Sequence, residues 1–192
     1  HRVDDKNVLI LYRFDRRNND ERIGYASAMT MLELTDGDKA SYVEIGYVLA
    51  DQGAEPRQDL RELWRRVAFT ILVSNTDDHL RNHGLLRTSS SGWRLSPAFD
   101  INPNPEPGPK ILSTRIDRDD EASIEDLMAA APYFDLTEDD AREILRDVTA
   151  ATSSWQERAR VMGLSRDEIE QMHLAFEHPE RRLAEQLTAA HA

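Results

Sequence analysis

Asp77, Asn82 and Asp100 are oxygen-bearing side chains spaced to suit a loop, a short hairpin and a second loop that meet at one place. A phosphoryl-transfer site needs one carboxylate to take the acceptor's proton, and an amide with a further carboxylate to hold Mg²⁺. The stretch Asn75-Thr76-Asp77-Asp78-His79-Leu80-Arg81-Asn82 and the segment Pro97-Ala98-Phe99-Asp100 supply those groups in that order. Asp77 reads as the catalytic base, orienting an acceptor hydroxyl and accepting its proton. Asn82 and Asp100 read as the Mg²⁺ ligands, leaving the other coordination positions to water and nucleotide phosphates. Turn-forming residues alone would explain Asn75 to Asp78 as a helix stop. They do not explain Asp-x-His-x-Arg-Asn followed by a hairpin and Asp100.

The neighbours admit several roles. His79 suits a loop-holding hydrogen bond, and Arg81 suits a nucleotide phosphate or a substrate charge. A rival reading gathers His79, His83, Asp77, Asp78 and Asp100 into an oxygen and nitrogen cluster for a hydrolytic divalent metal. No second segment offers a matching His pair, and His173 and His178 fall in a helical tail where they read as surface residues. The apolar run Val8 to Phe14 reads as a buried strand. Its end, Tyr12-Arg13-Phe14, could offer backbone groups to an adenine edge, although core strand is the default for such a run.

The elements that must position these groups are visible in the pattern. Leu60, Leu63, Trp64, Val67, Ala68, Ile71 and Leu72 recur at three and four residues after Pro56, which predicts one strongly amphipathic helix. Its polarity switches at Ser74, so it delivers residues 75–83 to a fixed place. Ser41 with Glu44 makes a capping box for a helix running to about Asp51, before Gly53. Gly84–Arg87 and Gly92–Leu95 flank Thr88–Ser91 as a hairpin, and Thr35–Asp38 is a turn. The charged residues Asp15 to Asp20 form another turn, and Ile23–Leu34 fits strand or helix equally. Asn102 to Pro109 is an extended loop, either shaping substrate access or connecting passively. Helices follow from Ser123, from Thr137 and from Ser165 with Glu168. The balance is mainly α with a few short strands.

Composition sets the bounds. At 192 residues the chain suffices for one sizeable core, or for one lobe of a larger protein. Its net charge of −12 makes direct nucleic-acid binding unexpected, because phosphate contacts need clustered cations. No apolar run is long enough to span a bilayer. Cysteine is absent, which removes disulfides and thiolate metal sites and fits a cytoplasmic protein. The first residue is His1, which points to a start inside a longer product.

Arg13-Phe14-Asp15-Arg16, Asn75-x-Asp77-x-His79-x-Arg81-Asn82 and Pro97-x-Phe99-Asp100 resemble the signature segments of HipA-type serine/threonine-protein kinases, toxins of type II toxin–antitoxin pairs. The resemblance covers about residues 8–187 and implies the helical C-terminal lobe of a two-lobed, protein-kinase-like enzyme. It implies Asp77 as catalytic aspartate, Asn82 and Asp100 as Mg²⁺–ATP ligands, and His79 to Asn82 lining the phosphates with Phe99 beside them. Tyr12, Arg13 and Phe14 would form the hinge that meets adenine. The implied partners are a protein substrate with a Ser or Thr acceptor and a HipB-like, DNA-binding antitoxin. Arg81 stands where the family usually has Lys, keeping the charge but not the compact ammonium geometry. No Gly-rich loop and no suitable nucleotide lysine precede the hinge, since Lys6 lies too close to Leu9. The N-terminal lobe was therefore cut away, or comes from another chain, or was lost in an inactive relative that only docks a partner.

Overall fold

The fold was obtained as a computed structural model, which describes residues 2–3, 6–17 and 21–189. Two-residue strands β1 (Arg2–Val3) and β2 (Lys6–Asn7) pair antiparallel. The ambiguous stretch after Ile23 resolves into both forms: β3 (Gly24–Ser27) and then the single-turn helix α1 (Ala28–Met31). Ser27 makes the switch, because its side chain accepts the Thr30 N–H and caps the helix.

Helix α2 (Tyr42–Gln52) starts at the Ser41–Glu44 capping box and stops at Gly53. Helix α3 (Pro56–Leu72) begins with proline at its first position, where the missing N–H costs nothing. Leu63, Trp64, Val67, Ala68 and Leu72 of α3 are fully buried, and Trp64 Nε1 donates to Leu127 O at 3.1 Å. The expected apolar face is thus the centre of the molecule.

After α3 come a 3-10 turn (Leu80–Asn82) and the hairpin β4 (Gly84–Ser89) and β5 (Gly92–Leu95). The sheet order is β3-β4-β5, antiparallel throughout. Asp59 of α3 clamps this sheet: its carboxylate takes Arg94 Nε at 2.9 Å, Arg94 NH2 at 3.2 Å and the Leu95 N–H at 3.1 Å. Residues 96–123 hold no helix or strand. Helices α4 (Ile124–Ala130), α5 (Glu138–Ser153), α6 (Trp155–Val161), α7 (Arg166–Gln171), α8 (His173–Phe176) and α9 (Pro179–Ala189) follow, with a 3-10 turn at Ala131–Phe134. Ser123, Thr137 and Ser165 cap α4, α5 and α7 as their types suggest. The architecture is mainly α with a small three-stranded antiparallel sheet and the β1–β2 pair. Among the described residues no helix is long and apolar enough to cross a membrane.

Two expectations fail. Val8 to Phe14 is neither strand nor buried: Leu9 is 80% and Tyr12 97% exposed. Hydrophobicity and β-branching describe a segment ready to pair, but no described strand lies alongside it. His178 is not a surface residue. It is buried, with Nε2 3.3 Å from Leu72 O, where it answers one of the carbonyls left open at the end of α3. In the charged turn from Asp15, residues 18–20 lie outside the described residues.

Candidate active site

The site grows from the C-terminal end of α3. Val73 closes the helix, and Ser74 then adopts a left-handed conformation (φ 53°) that reverses the chain. Asn75 N–H returns to Thr70 O at 2.9 Å, so the loop leaves the helix at a fixed angle. Left-handed backbone at a non-glycine residue is strained and tends to gather at functional sites. Among the four such residues in the described part of the chain, Ser74 opens the loop and Asp100 (φ 57°) is a candidate ligand.

The two members of the Asp77-Asp78 doublet face opposite ways. Asp77 is exposed, and among the described residues its carboxylate makes no hydrogen bond or ion pair. Its carbonyl accepts the His79 N–H at 3.0 Å and Asn82 Nδ2 at 3.3 Å. Asn82 is buried, and because its nitrogen serves Asp77 O, its side-chain oxygen is the free end. That orientation suits a hard cation, as does the exposed carboxylate of Asp100. In kind, an amide oxygen and a carboxylate are the donor types that Mg²⁺ takes.

Asp100 reaches the loop through its successors. Asn102 Nδ2 donates to Asp100 Oδ1 at 3.0 Å, Asn104 N–H donates to Ser74 O at 3.1 Å, and Asn104 Nδ2 donates to Thr76 Oγ1 at 2.8 Å. Lys110 braces the proline-rich stretch from inside, donating to Asn104 O at 2.8 Å. Phe99 is half-buried against Phe14, ring centroids 5.6 Å apart, and Phe14 also packs on Tyr25 at 6.3 Å. Gly84 makes room for this cluster, since a Cβ there would stand 2.5 Å from the Tyr25 ring. The structure thus links Phe14 with Phe99, and Asp77 with Asn82, and ties the Asp100 segment to the loop.

Other expected residues are engaged differently. Arg13 is exposed and grips Asp15 with two hydrogen bonds, 2.8 and 2.6 Å. That grip holds the Asp15 carboxyl down at about 2. Tyr12 makes no hydrogen bond or ring contact among the described residues and is almost wholly exposed. Arg81 pairs with Asp36. His79 holds the loop by its backbone, donating to Asp77 O and accepting from Asn82 N, while its ring Nδ1 is buried without a partner. The rival metal cluster does not form: among the described residues no three His, Cys, Asp or Glu groups gather to hold an ion. The reason is that Asp78 and His83 turn into the core.

There the sequence reading missed a second layer. Asp78 Oδ2 accepts the Tyr42 hydroxyl at 2.6 Å and Thr70 Oγ1 at 3.3 Å, and Thr114 Oγ1 donates to Asp78 O at 2.7 Å. His83 Nε2 approaches the same oxygen at 3.2 Å, an electrostatic contact rather than an aligned hydrogen bond. The only signal was the doublet itself, in which two equal side chains cannot share one direction on a tight turn.

A model of the HipA-like C-terminal domain family matches residues 1–155. A 64-residue stretch is 38% identical to the Sinorhizobium fredii protein named "Putative kinase Y4dM", covering 33% of this chain and 15% of that protein. The solved Shewanella oneidensis MR-1 toxin–antitoxin complex of HipA, HipB and operator DNA contains a chain that superposes with a TM-score of 0.70. That match is 18% identical and covers 92% of this chain but 46% of the other, so this chain spans less than half the length of the solved relative. At this identity the likeness is one of fold.

Proposed function

The chain belongs to the HipA-like C-terminal domain family, and on that premise we propose that it is the C-terminal lobe of a serine/threonine-protein kinase that uses Mg²⁺–ATP. The carrying observation is an exposed, unengaged Asp77 carboxylate on a loop whose backbone is fixed from both sides. Asp77 orients the acceptor hydroxyl of a protein substrate and takes its proton as the bond to phosphorus forms. Asn82 Oδ1 and the Asp100 carboxylate hold the cation, which when bound neutralises charge on the phosphate oxygens. The Phe14–Phe99 contact sets the N-terminal segment beside the Asp100 segment, and Tyr12 to Phe14 meet adenine. Arg81 leaves Asp36 for a phosphate, with His79 alongside.

In this reading the glycine-rich loop and nucleotide lysine lie on an N-terminal lobe outside residues 1–192, and the exposed apolar run at Leu9–Tyr12 is where that lobe rests. The described chain alone then transfers little or no phosphate. The protein acts in the cytoplasm as a toxin restrained by a HipB-like antitoxin, the company its fold neighbour keeps in the Shewanella complex.

The test is phosphate transfer by the protein carrying both lobes. Asp77→Ala should lower the rate on the order of 10²- to 10⁴-fold, and Asp100→Ala should do likewise. Undiminished transfer in both variants would end the assignment. A docking lobe without activity is the second reading, favoured by the Arg81–Asp36 pair, which such a lobe would keep. It is distinguished by wild-type protein that neither binds an ATP analogue nor transfers phosphate.

A further inference from the structure

Of the two carboxylates in the doublet, only Asp77 has a use in the reading above. Asp78 is 4% exposed, and a buried carboxylate is costly unless several donors meet it. Asp78 has two from separate parts of the chain, Tyr42 at the start of α2 and Thr70 near the end of α3, and His83 Nε2 stands 3.2 Å away after the 3-10 turn. Its backbone carbonyl is held as well, by Thr114. Thr114 is brought there by a bridge between Ser41 and Arg115, with Tyr42 N–H donating to Arg115 O at 2.8 Å. Burial pushes the Asp78 carboxyl up, but His83, Tyr42 and Thr70 together outweigh it and hold it below its usual range. Burial, with Asp78 beside it, pushes the Tyr42 hydroxyl well up, so it remains a donor.

A passive turn would need none of this, since one short amide or hydroxyl would satisfy it. The arrangement instead fixes residue 78 at its side chain and at its carbonyl. The preceding carbonyl, of Asp77, is fixed by His79 N–H and Asn82 Nδ2. With the peptide groups around residue 77 held, its side-chain torsions are the freedom that remains.

We propose that Asp78 is the positioning residue of the site: held by Tyr42 and Thr70 at its carboxylate and by Thr114 at its carbonyl, it sets the direction in which Asp77 is presented. The inference rests on the reading of Asp77 as base. A displacement of about 1 Å at a reacting group costs on the order of 10² in rate, which gives such a clamp its purpose.

The test has two arms. In the 192-residue chain, Asp78→Asn is followed by amide hydrogen exchange, reading His79 and Asn82, whose N–H groups bond within the loop. Faster exchange, about tenfold, at these two with α5 unchanged is the expected result. Unchanged exchange at both, or faster exchange throughout the helical core, overturns the proposal. Tyr42→Phe serves as the milder variant, with the same local effect at smaller size, should Asp78→Asn not fold. In the two-lobed protein both variants should lower kcat about 10- to 100-fold with KM for ATP within about twofold. A loosened loop with kcat unaltered would overturn it too. Wild-type protein without any phosphate transfer would sink the kinase reading, and the exchange arm would still decide whether Asp78 fixes the loop.

Discussion

The rings of Phe14 and Phe99 meet at 5.6 Å with an interplanar angle of 36°. This contact joins the segment just before the described β-sheet to the residue that precedes Asp100. An aromatic pair contributes roughly 0.5–1.5 kcal/mol beyond its buried area. A double-mutant cycle with Phe14→Leu and Phe99→Leu, read by urea unfolding, should return a coupling of that size. Additive effects would mean that the rings do not hold the two segments together.

Asp59 is the buried end of the clamp between α3 and the hairpin. Asp59→Ala should cost about 1–3 kcal/mol, because it leaves the buried Leu95 N–H without its acceptor and takes one carboxylate from Arg94, which keeps Glu55 and Gln58. Asp59→Asn, which keeps an acceptor, should cost less. Chemical denaturation of the two variants makes the comparison.

His178 predicts a pH effect. Burial lowers its pKa from the ordinary 6.5, with Arg181 and Lys110 acting the same way and Leu72 O and Glu177 opposing them. The unfolded chain therefore takes up the proton more readily than the folded one, so stability is full above 6.5 and is lost as pH falls through it. In His178→Gln that loss between about pH 7 and pH 5 should shrink. Unfolding midpoints measured across this range would show equal slopes if His178 were not responsible.

The Arg81–Asp36 pair predicts a small kinetic effect. Both side chains are at least half exposed, so the pair is weak. If Arg81 meets nucleotide phosphate, Asp36→Ala frees it, and KM for ATP in the two-lobed protein should fall by roughly two- to fivefold. A rise in KM would mean that Asp36 orients Arg81 rather than withholding it.

The helical frame was legible because its signals are local. The α3 stripe from Leu60 to Leu72, the Ser41–Glu44 box and the turn between β4 and β5 each specify themselves within a few residues. Val8 to Phe14 misled because an apolar, β-prone run states a need for a partner strand without supplying one. His178 misled for the opposite reason: its burial depends on Leu72 O, far away in the chain. In the candidate site, type and spacing singled out Asp77, Asn82 and Asp100, and the fold joins the first two through Asn82 Nδ2 and Asp77 O. Asp78 was weighed only as a member of the rival metal cluster, because only the fold decides which carboxylate of a doublet turns inward.

The exposed apolar run Val8-Leu9-Ile10-Leu11-Tyr12 also bears on the behaviour of the isolated polypeptide in solution. Five consecutive water-averse residues without charge or proline form the kind of ribbon that neighbouring copies recruit into stacked, intermolecular sheets. Arg13 and Asp15 are the first ionic gatekeepers beside it, and they engage each other rather than standing apart. Precipitation at high concentration would then report a naked seam in the molecule, not a faulty helical core.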